Sequence, residues 1–463
     1  MVSIIAVLVP LVMPAFQPNL SQAYGEYKTF TLHLGSLVLL GLLLIHWANN
    51  SGKSVKERLS TLQLRDIRRI PPPDIVVLGF VGIVFATLLS SALSPLPKIS
   101  LLGKSNEFTG FSSYDVTSLF IVFLATKTFF KSSKVLNNLL VAIAISGTIA
   151  AVYGLSQHFG WDPIGGRQGS SRIPATFGNS LNFGGFLVMT IPATIAISLI
   201  NRQKIDRRVF ALVSIAVGLQ LATAWLTGGR GAFLGIASGL IVLGVLISFS
   251  PGRKLQRQNL LLLAFSALVA TFLVLIPVSD SGFGLQRISS IGDELAALTD
   301  TDITVGPGEG GLKARLGIWE TALRLVASPV VPQSESNLKT SLRRIYGLGP
   351  EMFIYSYPLA TNPKQNVELQ SNAHNISLHI VATLGLLGLS ALLVTFYGLV
   401  LLAKTTVIRS TKTTEVSTVT LVLLITLTAA IAGKVVELQS GVPRVSDLTP
   451  LFIIVGALLA AER

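Results

Sequence analysis

The sequence predicts an all-α fold, a polytopic transmembrane helix bundle of about 12 spans with one long extracytoplasmic loop carrying short amphipathic helices. Three observations predict it. Half of the 463 residues are hydrophobic and only 13% are charged, where soluble domains carry about 25%, and the mean hydropathy is +0.66. Apolar runs of about 20 residues, the length that crosses a bilayer, recur along the chain. Basic residues also concentrate on alternate loops. This composition excludes a large soluble enzyme, a disordered tail protein and a disulfide scaffold. The sequence has no cysteine, which excludes thiolate catalysis, iron–sulfur clusters, cysteine-bound zinc and disulfides.

Seven runs meet the length outright: 30–49, 75–93, 135–157, 181–200, 260–278, 375–403 and 416–433. Five are shorter or weaker: 4–16, 114–125, 210–227, 232–248 and 449–461. The run 4–16 lacks the basic flank and small-residue cleavage site of a signal peptide, so it reads as a span. With both termini cytoplasmic, the inside segments hold 20 Lys/Arg against 5 Asp/Glu, and the outside segments hold 16 of each, with Asp74 left at a span edge. The net charge of +14 is therefore a topology signal and calls for no nucleic acid partner. Residues 1–278 form spans one to nine, 279–374 the long outer loop, and 375–463 spans ten to twelve.

Extra mass concentrated in 279–374 marks that loop as a place for function. It contains Asp300-Thr-Asp302 and the glycine-rich Gly306-Pro-Gly308-Glu-Gly310-Gly311, followed by a helix over 312–328. Leu312, Leu316, Trp319, Leu323 and Val326 step by four, three, four and three. That apolar face is expected to lie on the membrane surface, with Trp319 at headgroup depth. Lys313, Glu320 and Arg324 fall on one polar flank, and Arg315 on the other, beside Ala322. Arg315 is either a snorkelling anchor or a cation turned toward the protein. Asp300 and Asp302 share the Asp-x-Asp spacing that holds a metal on a sugar nucleotide, but in an acidic extracytoplasmic stretch they read as solvated loop. No phosphate-binding Gly-Lys loop and no His-Glu-x-x-His cluster occurs, so no metal or cofactor is expected.

The span interiors read as almost free of ionisable groups. Asp115 lies at an edge, and His33, His46 and His379 lie within a few turns of an end, which counts against an ion-coupled transporter. At the outer face, Thr227-Gly228-Gly229-Arg230-Gly231 joins two spans with almost no loop. Arg230 then sits beside the amino end of the next helix, as part of an anion site or as a lipid-headgroup anchor. Ser371-Asn372-Ala373-His374-Asn375 opens span ten, with Asn375 or a neighbour as its cap and His374, catalytic or structural, at the membrane surface. Gly385-Leu-Leu-Gly388 lets that span pack closely on a neighbour.

In this order and on one membrane side, Arg230-Gly231, Arg315 with Trp319, Gly347-Leu-Gly349, and His374-Asn375 followed by Leu378, Gly385 and Gly388 resemble the O-antigen ligase family of polytopic membrane glycosyltransferases. The pattern is shared in part by O-antigen polymerases and protein O-oligosaccharyltransferases. The stretches Ser94-Pro-Leu-Pro-Lys-Ile-Ser-Leu-Leu-Gly103 and Arg172-Ile-Pro-Ala-Thr-Phe-Gly178-Asn179 are similar too, and the likeness runs over about residues 75–403. Two departures stand out. Gly229 occupies a position that is often serine, and some sixteen extra residues, 331–346, bring in Arg343 and Arg344 as competitors for the role of Arg315.

The resemblance implies a GT-C-like fold in the cytoplasmic (inner) membrane with an extracytoplasmic active site. It implies a polyprenyl-diphosphate-linked glycan donor and a hydroxyl acceptor on a lipid, cell-wall glycan or protein, amid membrane lipids and without cofactor. Arg230, Arg315 and Arg172 would hold the diphosphate, His374 would act as base, and Gly231, Trp319 and Asn375 would support them. Direct attack would invert the anomeric centre. The alternatives are a polymerase of the same superfamily and, from another class, a small-anion transporter of the bicarbonate type.

Overall fold

The computed structural model describes residues 23–50, 70–103, 111–163, 172–200, 207–249, 257–276, 312–332, 335–361, 369–412 and 418–462. Among these residues there is no strand. The helices are α1 (Ala23–Asn50), α2 (Pro72–Ala92), α3 (Pro97–Leu102), α4 (Ser113–Phe129), α5 (Ser133–His158), α6 (Ser180–Ile200), α7 (Arg207–Thr227), α8 (Arg230–Ser248), α9 (Arg257–Leu275), α10 (Leu312–Ala327), α11 (Asn337–Tyr346), α12 (Phe353–Ala360), α13 (Ile376–Lys412), α14 (Thr418–Glu437) and α15 (Val445–Ala461). The expected all-α class is met. Eight of the described helices are long and apolar enough to cross a membrane: α1, α2, α5, α6, α7, α8, α13 and α14; α9 and α15 contain shorter apolar helices. The expected span 4–16, the pair Asp300 and Asp302, and the glycine-rich 306–311 lie outside the described residues.

Helix α6 is buried along nearly its whole length, with α5, α7, α8 and α14 packed around it. Between apolar helices in lipid, close backbone approach replaces the hydrophobic drive, so small residues line the contacts. Gly231, Gly235 and Gly239 repeat every four residues along one face of α8. A Cβ at Gly235 would lie 2.8 Å from the Gly433 carbonyl of α14, and one at Gly239 3.1 Å from that of Ala429. Helices α2 and α13 meet the same way: a Cβ at Gly82 would lie 2.9 Å from the Ala391 Cβ, and one at Gly398 2.9 Å from the Val76 nitrogen. Buried polar groups here need internal partners. Gln220 of α7 bonds Thr190 and Thr194 of α6, each at 2.9 Å, and Thr148 of α5 at 3.2 Å.

Helix α13 is broken at Gly385, where φ is +66°. A left-handed residue interrupts the carbonyl-to-amide ladder. The Ala382 and Thr383 carbonyls instead accept from the amides of Leu348 (3.0 Å) and Gly349 (2.9 Å), while Ser90 also donates to Thr383 at 2.9 Å. Gly347 and Gly349 have φ of +85° and +115°. A Cβ at Gly347 would collide with the Thr383 carbonyl, and one at Gly385 with the Ile345 carbonyl. Gly385 was expected to bring two spans together. It admits the loop segment 345–349 into the helix break instead.

On α10 the buried face is Ile318, Ala322 and Leu325, while Leu316 and Leu323 of the stripe expected on the membrane surface point away from the protein. The protein-facing side chains follow the 318, 322, 325 spacing because α10 packs on α12 and α13. Ionisable groups at the ends of the spans are nonetheless buried: Lys28, Asp115, Lys434, Glu437 and Asp447. The sequence reading ended its eleventh span at Gly433, whereas α14 runs on to Glu437.

In an ordinary helix, replacing glycine by alanine stabilises by about 1 kcal/mol. Gly385→Ala should do the reverse and cost about 1–3 kcal/mol, read as a lower melting temperature of the detergent-solubilised protein. An unchanged or raised melting temperature would contradict the docked break.

Candidate active site

The site lies where helix ends meet short non-helical segments. Gly228 (φ +65°) turns the chain from α7 into α8, and Thr227 Oγ1 accepts from the Gly229 amide at 3.3 Å. Arg230 is thereby the first residue of α8, partly buried and next to the unpaired amides of a helix amino end. A Cβ on Gly231 would run into Ser440 Oγ. Gly231 thus lets this first turn rest on the α14–α15 connection.

Arg172 opens the segment before α6. Ile173 is fully buried and its amide reaches the Leu226 carbonyl at 3.5 Å, one residue before the end of α7. Lys28 of α1 donates to the Thr176 carbonyl, with its ammonium 4.1 Å from the centre of the Phe177 ring. The segment is therefore held on both sides. Burial lowers the pKa of Arg172, and the nearby charge of Arg230 lowers it further.

Arg315 shares the inward side of α10 with Ile318 and Ala322 and is partly buried. Its pKa is lowered by burial first, then by the charges of Arg230 and Arg172, while Glu437 acts in the opposite sense. Arg315 makes no hydrogen bond or ion pair among the described residues. The inward reading of Arg315 therefore fits its placement, and the three arginines lie within electrostatic reach of one another. Trp319, one turn along, is partly buried with its indole Nε1 buried and unpartnered.

Arg343 and Arg344, the competitors suggested by the sequence, are placed elsewhere. Arg343 is 1% exposed. It forks onto Glu335 at 2.6 and 2.5 Å and donates to the carbonyls of Gly347 (3.2 Å), Leu348 (3.1 Å) and Leu93 (3.5 Å). Hydrogen bonding from Arg343 holds the Glu335 carboxyl below its ordinary value. Arg344 is exposed and donates to the Ala327 carbonyl at 2.6 Å. The extra residues thus pin the Gly347-Leu-Gly349 segment. Ser100, from the 94–103 stretch, adds a 2.7 Å bond to the Pro350 carbonyl.

His374 precedes α13 with φ +52°, an unusual state for a residue with a side chain. Its amide donates to Asn372 Oδ1 at 2.8 Å. Asn375 caps α13 by accepting from the Leu378 amide at 3.0 Å and donates to the Gln439 carbonyl at 3.0 Å. The Ile376 amide reaches the Leu438 carbonyl at 3.0 Å. The His374 ring lies 3.2 Å through Nε2 from Gln370 Oε1, and its buried Nδ1 has no partner among the described residues. If Nε2 carries the proton and donates it to Gln370, Nδ1 keeps its lone pair. Burial, and then the charge of Arg315, lower the His374 pKa to about 4. The imidazole is therefore neutral at pH 7.

Sequence reasoning missed Lys434, Glu437 and Asp447. Lys434 Nζ lies 2.5 Å from a carboxylate oxygen of each acid, and all three side chains are at most 3% exposed. The available signal was Lys and Glu three residues apart, directly continuing an apolar run, with an acid opening the last apolar helix. Beside Ile376 and Leu438 lies an apolar cavity of about 110 Å³, lined also by Phe80, Phe111, Leu384 and Phe452. Among the described residues, no three His, Asp or Glu side chains gather to hold a metal ion.

Removing Arg343 strands Glu335 and three carbonyls, so Arg343→Ala should cost about 3–5 kcal/mol, the range for breaking a buried pair. Arg315→Ala removes a cation surrounded by like charges and should leave the melting temperature unchanged or raise it. Equal destabilisation by the two variants would contradict this division.

No curated protein matches the chain. Residues 215–393, which contain Arg230, Arg315 and His374, match the family model described as O-antigen ligase.

Proposed function

We propose that this protein transfers a glycan from a polyprenyl-diphosphate carrier to a hydroxyl acceptor at the extracytoplasmic face of the cytoplasmic membrane, without a metal and with inversion at the anomeric carbon. The observation that carries the reading is that Arg172, Arg230 and Arg315 lie within electrostatic reach of one another, and Arg315 in turn of His374, whose Nδ1 is buried and unpartnered among the described residues. Permanently charged guanidinium groups suit a diphosphate oxygen pair. Placed before the reaction in a site shielded from water, they stabilise charge as it develops on the leaving group. The apolar cavity beside Ile376 and Leu438 has the character to take part of a hydrocarbon tail.

In the proposed step, His374 Nδ1 takes the proton from the acceptor hydroxyl as its oxygen bonds to the anomeric carbon. The bond from that carbon to the diphosphate oxygen breaks, and the electron pair leaves on the carrier diphosphate, facing the arginines. A pKa of about 4 makes His374 a weak base in the empty site. A bound dianion offsets the positive field of Arg315, so the donor itself raises the basicity of His374 when a proton must be accepted.

Reconstituted protein supplied with polyprenyl-diphosphate glycan and acceptors tests the reading. Arg230→Ala should lower transfer about 10²–10³-fold, the cost of losing one preorganised charge donor, and a chelator should have no effect. Loss of transfer on chelation would overturn the metal-free step. A single added glycan would identify a ligase, and a ladder of products a polymerase.

The pH dependence gives a second test. The neutral imidazole is the active form, so kcat/KM should hold from neutral pH down to about 5 and fall as pH passes below about 4. The kcat profile should break at higher pH, because it reports the donor-bound enzyme. A profile unchanged in His374→Gln would reduce His374 to positioning the acceptor.

A further inference from the structure

We propose that Glu437 is the resident counter-anion of the arginine cluster, a positioning residue whose carboxylate balances the empty site and weakens its hold on the departing diphosphate. The inference rests on the diphosphate reading above. Glu437 ends α14, and its backbone and side chain touch the element that bears Arg230. A Cβ at Gly235 would lie 2.9 Å from the Glu437 Cβ, and one at Gly231 3.5 Å from the Glu437 carbonyl. The next two residues carry the His374-Asn375 segment, through the Ile376 amide on the Leu438 carbonyl and Asn375 Nδ2 on the Gln439 carbonyl. One short stretch of chain therefore fixes the helix of Arg230, the cap beside His374 and a carboxylate.

The carboxylate itself sits in a built cradle. Lys434 Nζ donates to Glu437 Oε2 at 2.5 Å and also to Asp447 Oδ2. Asp447 in turn accepts from the Arg444 amide at 2.7 Å. A Cβ on Gly441 would collide with Glu437 Oε1, and one on Gly185 would lie 3.2 Å from it. Glycines on two sides thus make room for that oxygen. At Arg315 the charge of Glu437 opposes those of Arg230 and Arg172.

A carboxylate beside an anion site looks counterproductive until the charges of substrate and product are compared. The donor is a diphosphate diester. Once the glycan leaves, the carrier diphosphate exposes one more ionising oxygen and is the more negative of the two. A purely cationic site would hold its product more tightly than its substrate, which slows turnover when release is limiting. Glu437 moderates that difference. It also lessens the mutual repulsion of the arginines while the site is empty.

The test uses the full-length protein in nanodiscs, with inorganic pyrophosphate as titrant at fixed ionic strength and melting temperature followed for each variant. Affinity for pyrophosphate should rise in the order wild type, Glu437→Asp, Glu437→Gln, by about five- to tenfold at the end of the series. In turnover, Glu437→Gln should be inhibited by correspondingly less pyrophosphate and should lose more kcat than kcat/KM. A merely structural residue would act in the opposite direction, since a disordered site binds pyrophosphate more weakly. Unchanged or weaker binding in a folded Glu437→Gln protein overturns the proposal. Should that variant fail to fold, Glu437→Asp decides, and affinity at or below wild type overturns it. Wild-type binding that disappears in Arg230→Ala while the Glu437 variants match wild type defeats this role alone. Absence of pyrophosphate binding to the wild type defeats the diphosphate reading as well.

Discussion

The constraint on which this molecule turns is the confinement of like charges. Arg172, Arg230 and Arg315 come from the segment before α6, a helix start and a loop helix. Where they come together, burial already disfavours the charged form of Arg172 and of Arg315. Such an arrangement does not assemble through its own attraction, because each arginine raises the cost of the next. It exists because the elements that carry the three are fixed independently. Lys28 holds the segment of Arg172, the glycine face of α8 rests on α14, and α10 buries Ile318, Ala322 and Leu325 against α12 and α13. The stabilising contacts lie outside the cluster, and the cluster is where the fold stores unfavourable electrostatics.

Backbone irregularity is placed just as selectively. Carbonyls freed inside an apolar bundle must find donors, and at the break in α13 they find the amides of Leu348 and Gly349. Three glycines with positive φ, 347, 349 and 385, allow two backbones to interlock with no side chain between them. The break therefore couples the segment 345–349 to the helix bundle. The buried pair Arg343–Glu335, with its carbonyl partners, locks the same joint from the other side. His374 follows a similar principle, held in a left-handed conformation by the Asn372 side chain and the Asn375 cap.

Most of what concerns composition and order was legible in the sequence. Helical class, long apolar runs, the Arg230 turn, Asn375 as a cap and the likeness to a family, read over about 75–403 and matched by its model over 215–393, all follow from local pattern. On α10 spacing alone gives two offset apolar faces, and only the packing of α10 on α12 and α13 shows that Ile318, Ala322 and Leu325 form the one turned to the protein. Lys434, Glu437 and Asp447 escaped notice for a related reason: a charge just beyond an apolar run reads as solvated until a partner is seen.

By itself the sequence determined that the chain is helical and apolar, because hydrophobic length and periodicity are properties of consecutive residues. It also supplied arginines and a histidine in a fixed order along the chain. Only the tertiary structure decided what surrounds each arginine. Arg343 and Arg315 are the same residue type on neighbouring loop helices, yet one is buried against a carboxylate and three carbonyls and the other faces two further arginines. That difference arises from contacts between residues far apart in the chain, where burial and neighbouring charge set what a guanidinium does.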